Sequence, residues 1–271
     1  MALAPYSPEA YWTQRFSRGL TLDAVGYRGL GRGMNRWIYR RRLAVLRALL
    51  RRHDLRLAAM RVAELGVGSG YWVEEWHRSG VREMFGFDIT QVAVDELSRR
   101  YPAYRFAQCD IGVAGSATAH TSGARFDLVV AMEVLLHITD RGQFERALDN
   151  LADLAAPGAH VVLSDLFLPV EVAAYHQVSR TLSRYEALMQ SRGFHLEDSV
   201  PVFFTLHPSD FTRRGARRWI ATQRWHVISK ALRLIPGFGW PLGAALFAVD
   251  SALGAVLREG PSTHMTLWRR T

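Results

Sequence analysis

The chemistry of this sequence is concentrated in one glycine turn and three acidic residues. Val62-Ala-Glu-Leu-Gly-Val-Gly-Ser-Gly70 runs from an apolar strand into a turn through Gly66, Gly68 and Gly70, with Glu64 two residues before the first glycine. Glycine allows a tight turn and lets a ligand approach the backbone closely. The dinucleotide spacing G-x-G-x-x-G fails, because its last glycine would fall at Tyr71. A phosphate loop fails too, because no Gly-Lys-Ser/Thr follows. A ligand without phosphates but with an ammonium group would need a carboxylate such as Glu64. Asp88, in Phe85-Gly-Phe-Asp-Ile-Thr90, ends the next strand, where a carboxylate can accept both hydroxyls of a ribose. Asp110, in Ala107-Gln-Cys-Asp-Ile111, follows the third strand and suits a hydrogen bond from an adenine amino group.

Such acids need a scaffold that brings successive strand ends to one edge. Apolar strands at 61–65, 83–88, 104–108, 126–132 and 160–166 alternate with helical patterns at 73–79, 91–100 and 143–155. This rhythm predicts a parallel sheet with helices on both sides. The run 126–132 is apolar enough to be buried on both faces. Upstream, 35–52 reads as a helix: Trp37, Ile38, Val45, Leu46, Leu49 and Leu50 recur at three- and four-residue spacing. Arg36, Arg40, Arg47 and Arg51 share its other face. Residues 6–33 show no clear period. Downstream, 172–190 looks helical, 201–206 and 264–268 look like strands, and 208–260 reads as a basic and apolar helical insertion. The expected organisation is an N-terminal helical cap at 1–57 and an α/β domain at 58–271, with the insertion at about 208–262. The added segments should close over the strand ends, where open α/β sheets bind ligands.

At this point the sequence resembles the class I S-adenosylmethionine-dependent methyltransferases. Ala63-Glu-Leu-Gly-Val-Gly-Ser-Gly70 looks like their first motif, Phe87-Asp-Ile89 like their ribose acid, and Cys109-Asp-Ile111 like their adenine-side motif. Phe126-Asp-Leu-Val-Val-Ala-Met-Glu-Val-Leu-Leu-His137 resembles the fourth-strand motif, and Leu154-Ala-Ala-Pro-Gly158 the turn before the fifth strand. The resemblance implies a Rossmann-like seven-stranded sheet of order 3-2-1-4-5-7-6 with helical lid insertions. It implies S-adenosyl-L-methionine as cofactor, contacted by Glu64, Gly66, Gly68, Gly70, Asp88, Ile89, Asp110, Ile111 and Met132. A weaker likeness over 178–194 and 261–263 points to bacterial enzymes of saccharide and secondary-metabolite pathways.

If the acceptor is an alcohol, a base must take its proton as the new bond forms. Histidine suits that task near neutral pH, and His137 follows the fourth strand, with Glu133 nearby. Tyr11, Trp12, His176 and Arg180 are candidate acceptor contacts. Ala131-Met-Glu-Val134 lacks the Asn/Asp-Pro-Pro-aromatic pattern used on exocyclic amines of bases. No acidic and amide cluster suggests a metal, so none is expected. What remains is O-methylation of a small molecule or a sugar or glycan hydroxyl.

Composition bounds the partners. Of 34 basic residues only Lys230 is lysine, and the net charge is +9. Arginine grips planar oxyanions in two-pronged fashion, so an RNA methyltransferase using the arginine faces is an alternative. The lack of a recognisable RNA-binding module counts against it. Cys109 is the sole cysteine, which excludes an internal disulfide and a multi-thiolate metal site and favours a reducing cytoplasm. Met1 to Ala10 has no basic start and no long apolar run, which argues against a secretory signal. The stretch 235–257 is apolar, but two prolines, four glycines and Asp250 interrupt it. It reads as one or two buried or surface-lying helices, which leaves a peripheral contact with the inner membrane face, and a lipid or glycolipid acceptor, as a further alternative.

Overall fold

Short, wholly apolar strands separated by amphipathic helices bury both faces of a sheet. The computed structural model describes residues 6–207, 216–235, 237–261 and 263–271. In chain order the elements are α1 (Pro8–Phe16), α2 (Leu22–Val25), α3 (Gly31–Arg52), β1 (Arg61–Leu65), α4 (Tyr71–Arg78), β2 (Glu83–Asp88), α5 (Gln91–Arg100) and β3 (Arg105–Gln108). There follow β4 (Phe126–Met132), α6 (Arg141–Leu154), β5 (Ala155–Leu166), β6 (Val172–Ala174), β7 (Gln177–Ser179), α7 (Leu182–Gln190) and β8 (Phe194–Pro201). The chain ends with α8 (Ala216–Leu234), α9 (Gly239–Val256) and β9 (Thr263–Arg270).

Seven strands form one sheet in the order β3-β2-β1-β4-β5-β9-β8. Neighbours from β3 to β5 pair parallel, and β9 runs antiparallel to both β5 and β8. Counting sheet strands alone, this is the order 3-2-1-4-5-7-6, since β6 and β7 form a separate ribbon. The fold is the Rossmann-like α/β sheet that the sequence implies. One face carries Ala63, Leu65, Val129 and Val161 and packs with Phe144, Leu148 and Leu151 of α6. The other carries Val62, Leu128, Val130 and Val162 and packs with Ile38 and Leu46 of α3 and Val73 and Trp76 of α4. The helix α3 is thus buried against the sheet, while α1 lies over the strand ends with Trp12 and Phe16.

Side-chain caps fix the helix starts. Thr90 caps α5, Thr181 caps α7, and the Asp140 carboxylate accepts from the Gln143 N–H at 2.7 Å to start α6.

Two expectations need correction. Residues 172–190 are not one helix: Ala174 pairs with Gln177, so Tyr175-His176 is a hairpin turn, and α7 begins only after the Thr181 cap. The sixth sheet strand is β8, not 201–206. Pro201 closes it, and the N–H groups of Phe204, Thr205 and Leu206 turn instead to the buried Asp250 carboxylate at 3.0, 2.6 and 3.2 Å. Residues 6–33 show no period in the sequence because α1 and α2 are too short, at nine and four residues, to carry one. Of the insertion, α8 and α9 are two helices, and 208–215 lies outside the described residues.

Candidate active site

The parallel strands release their loops at one edge, and a cavity opens to solvent there. Each loop supplies part of its wall: Gly66 to Ser69 after β1, Asp88 and Ile89 at the end of β2, Cys109 to Ile111 after β3, and Met132 to Val134 with His137 after β4. Pro8, Trp12, Phe16 and Val25 close it from the N-terminal side. The turn depends on glycine at Gly66. Its φ is +79°, and an added Cβ would stand 2.4 Å from Cγ2 of Val134 on the opposite wall.

Of the nine expected cofactor contacts, Gly66, Gly68, Asp88, Ile89, Asp110, Ile111 and Met132 line this cavity. Asp88 braces it. Its Oδ2 accepts from the Gly68 N–H at 2.8 Å, and its Oδ1 accepts from the Thr90 N–H at 2.9 Å and hydroxyl at 2.7 Å. A carboxylate offers about four lone-pair sites, so one remains on Oδ2. The expectation that Asp88 takes both ribose hydroxyls is therefore corrected to one. Asp110 is exposed, and only its Oδ1 is used within the chain, by the Gly112 N–H at 2.8 Å.

Glu64 and Gly70 are placed elsewhere. Glu64 is fully buried beneath α4 and accepts from the Trp76 indole N–H at 2.6 Å. Its other oxygen, Oε1, is buried and has no partner among the described residues, so it is the atom left for the ammonium contact that the resemblance implies. Gly70 starts α4 at φ +76°, and its α-carbon is packed so closely on Leu97 that a Cβ would meet Cδ2 at 2.4 Å. Burial pushes the Glu64 carboxyl up to about 8, against the opposing effect of the Trp76 bond. The folded state then holds a proton that the unfolded chain releases near 4.5, so this group lowers stability as pH rises from about 4.5 through 8. Glu64→Gln keeps the acceptor for Trp76 and removes that slope. Its melting temperature should exceed that of the parent at pH 8.5 and approach it near pH 4.5; equal temperatures at both pH values would contradict this.

A second cavity adjoins the first. Trp12, Val25, Arg42, Glu133 and His137 line both, so they form the seam at which contents of the two cavities meet. His137 Nδ1 lies 2.9 Å from the His176 carbonyl oxygen. A carbonyl only accepts, so Nδ1 carries the proton and Nε2 keeps its lone pair. Burial pushes the imidazole down to about 4, against the opposing effect of that carbonyl. His137 is therefore neutral at pH 7. Its ring is held edge-on by Trp12, with centroids 5.0 Å apart, and parallel to His176 at 5.6 Å.

Of the expected acceptor contacts, Tyr11, Trp12 and His176 meet at the second cavity, with Tyr11 stacked on His176 at 5.2 Å. Arg180 does not. It is buried over Phe144 and donates to the carbonyls of Leu135, Val178 and Ile138 at 3.3, 3.3 and 2.7 Å, so it fixes the loop that carries His137. Sequence reasoning missed Arg42, which is buried and ion-paired with Glu133 at the seam. The available signal was its place on the apolar stripe of α3, where a charge needs a partner. Tyr27, Trp225 and Ser229 of the second cavity carried no such signal. Among the described residues no three His, Cys, Asp or Glu side chains gather as a metal site would require.

The sheet order, with the cavity at the strand ends, defines a class I methyltransferase fold. A family model described as "Methyltransferase domain" matches residues 36–238. A "probable S-adenosylmethionine-dependent methyltransferase" of Mycolicibacterium smegmatis is 26% identical over 195 residues, 67% of this chain and 72% of the relative. The ubiquinone biosynthesis O-methyltransferase of Ralstonia nicotianae is 31% identical over 110 residues, 41% of this chain and 44% of the relative. Among solved structures, the 1,6-didemethyltoxoflavin-N1-methyltransferase of Burkholderia thailandensis superposes with a TM-score of 0.55 at 14% identity, over 100% of this chain and 93% of that one. The chain belongs to this methyltransferase family and is an S-adenosylmethionine-dependent enzyme. The cavity fits that cofactor: Gly66 leaves no room for a side chain, Asp88 keeps one acceptor site on Oδ2, and among the described residues Asp110 Oδ2 has no partner.

Proposed function

We propose that the enzyme methylates a hydroxyl group of a small organic or sugar acceptor, without a metal. S-adenosylmethionine supplies a methyl group already activated on a sulfonium. The protein's share is alignment, exclusion of water and removal of the acceptor proton. Asp88 and Asp110 would hold the ribose and adenine in the first cavity, beside Ile89, Ile111 and Met132. The acceptor would occupy the second cavity, whose aromatic walls, Tyr11, Trp12, Tyr27 and Trp225, suit an aromatic or sugar ring.

The observation that carries this reading is that His137 lines both cavities with Nδ1 committed to the His176 carbonyl, which leaves Nε2 as the nitrogen with a lone pair. A hydroxyl oxygen becomes strongly acidic as it gains a carbon, so a base that is weak in water can take its proton late in the step. The name of the Ralstonia relative, an O-methyltransferase, is in line with transfer to oxygen. We place the reaction in the cytoplasm, where a lone thiol such as Cys109 stays reduced.

The test is incubation with a methyl-labelled donor and a panel of phenols, hydroxylated metabolites and glycosides, with the labelled product resolved by carbon NMR. A methyl carbon on oxygen is expected. A product labelled on nitrogen or carbon would contradict the proposal.

A further inference from the structure

The hairpin of α8 and α9 presents a face that the hydroxyl methylation does not use. Along α9, Trp240, Pro241, Ala245, Val249, Ala252 and Val256 are exposed at three- and four-residue spacing, with no polar residue among them. Val249 is 46% and Val256 78% exposed, and Leu234, Ile235 and Leu257 extend the same apolar character at the helix ends at 69%, 51% and 44%. The solvent side of a surface helix is ordinarily polar, and a contiguous apolar patch marks a contact site.

The helix is long and apolar enough to cross a bilayer by composition, yet it is fastened lengthwise. Asp250 is buried and takes four hydrogen bonds: the N–H groups of Phe204, Thr205 and Leu206, and the Thr205 hydroxyl at 2.6 Å. A Cβ at Gly243 would meet Trp37 at 2.6 Å, and one at Gly254 would meet Arg41 at 2.3 Å. Side chains at those positions would lift α9 off α3. Its 18 residues therefore lie flat for roughly 27 Å.

The charges around this face select its partner. Asp250 is the sole acid in 216–256 and it points inward. Among the described residues the exposed bases are Arg224, Lys230 and Arg233 on α8, Arg258 just beyond α9 beside Glu259, and Arg36 and Arg40 on the neighbouring α3. Arg40 lies over Trp37, which itself touches Trp240. A second copy of the chain would bring this cationic rim against its own like. We infer that the α8–α9 hairpin is a docking face for an anionic lipid bilayer, with the apolar stripe in the acyl boundary and the basic rim at the headgroups. Trp225, Ser229 and Arg233 of the same hairpin line the second cavity, so docking sets the mouth of that cavity at the bilayer surface. This goes beyond the proposed acceptor chemistry and is tested without turnover.

The experiment is co-sedimentation of the full chain with phosphatidylcholine vesicles and with vesicles containing about one third phosphatidylglycerol. The anionic vesicles should bind at least about tenfold more strongly, because each basic side chain near the surface contributes about 1 kcal/mol. Val249→Asp/Val256→Asp should lose about tenfold or more of that binding. Lys230→Glu/Arg258→Glu should lose the preference for anionic vesicles. Both variants change exposed positions, and unchanged melting and cofactor affinity would show that they fold. Absence of wild-type protein from both vesicle pellets would overturn the proposal. So would equal pelleting of Val249→Asp/Val256→Asp, or a solution dimer that this variant splits while vesicles bind nothing.

Discussion

Replacing His137 by alanine should lower turnover by about a hundredfold or more while leaving the affinity for S-adenosylmethionine within about twofold. The side chain lies at the seam of the two cavities, and its contact with His176 fixes the proton on Nδ1. His137→Gln separates proton removal from positioning, because an amide can still donate to the His176 carbonyl but cannot take a proton. Equal losses in both variants would assign the effect to the lone pair; full activity in the glutamine variant would remove His137 from the role of base. The pH dependence follows with a definite sign. Burial holds the imidazole near 4, below its ordinary 6.5. The acid limb of single-turnover methyl transfer should therefore fall near pH 4, and the rate should stay level between about pH 5 and 7. A limb at 6.5 would contradict that placement.

Glu133→Ala should destabilise the fold by about 3–5 kcal/mol, the range for breaking a buried ion pair from one side. The asymmetry decides which partner to remove. The Arg42 side chain is 4% exposed and the Glu133 side chain 26%, so losing the carboxylate leaves the more buried charge without its partner. Arg42 also lies over the rings of Tyr39 and Phe203, at 4.8 and 5.5 Å, which fix the guanidinium in place. Glu133 itself sits at φ +57°, a conformation costly for any residue but glycine, with its N–H bonded to the Ser164 carbonyl at 2.7 Å. Urea unfolding of Glu133→Ala, Arg42→Met and the double variant Arg42→Met/Glu133→Leu would measure the pair. The double variant should recover most of the loss, because it leaves no unpaired charge. A Glu133→Ala chain as stable as the parent would show that the pair contributes nothing.

The order of strands and helices between 61 and 166 was legible because buried parallel strands must be apolar throughout and their helices one-sided. Asp88 and Asp110 were legible for a related reason: each directly follows an apolar run, and a strand end is the position that the fold delivers to the cavity. Glu64 was legible as an acid before the turn, but not its bond from the Trp76 indole, because Trp76 lies on α4 twelve residues away. Arg180 was misread because a basic residue next to His176 looks like a ligand contact. Only the fold shows that its guanidinium is used up by three carbonyls. The ribbon at 172–179 was hidden because two three-residue strands carry too little pattern to outweigh the helical run that follows. Arg42 was hidden by distance: its partner Glu133 lies 91 residues away, and only sheet formation brings them together.

Calorimetric titration of purified protein with S-adenosylmethionine bears most directly on the site at the strand ends. Asp88→Ala removes both the remaining acceptor site and the brace on Gly68. Its binding should weaken by about 1.5–3 kcal/mol, roughly tenfold to 150-fold, while His137→Ala binds as the parent does. An Asp88→Ala protein that is folded and binds the cofactor with unchanged affinity would contradict the assignment of that cavity.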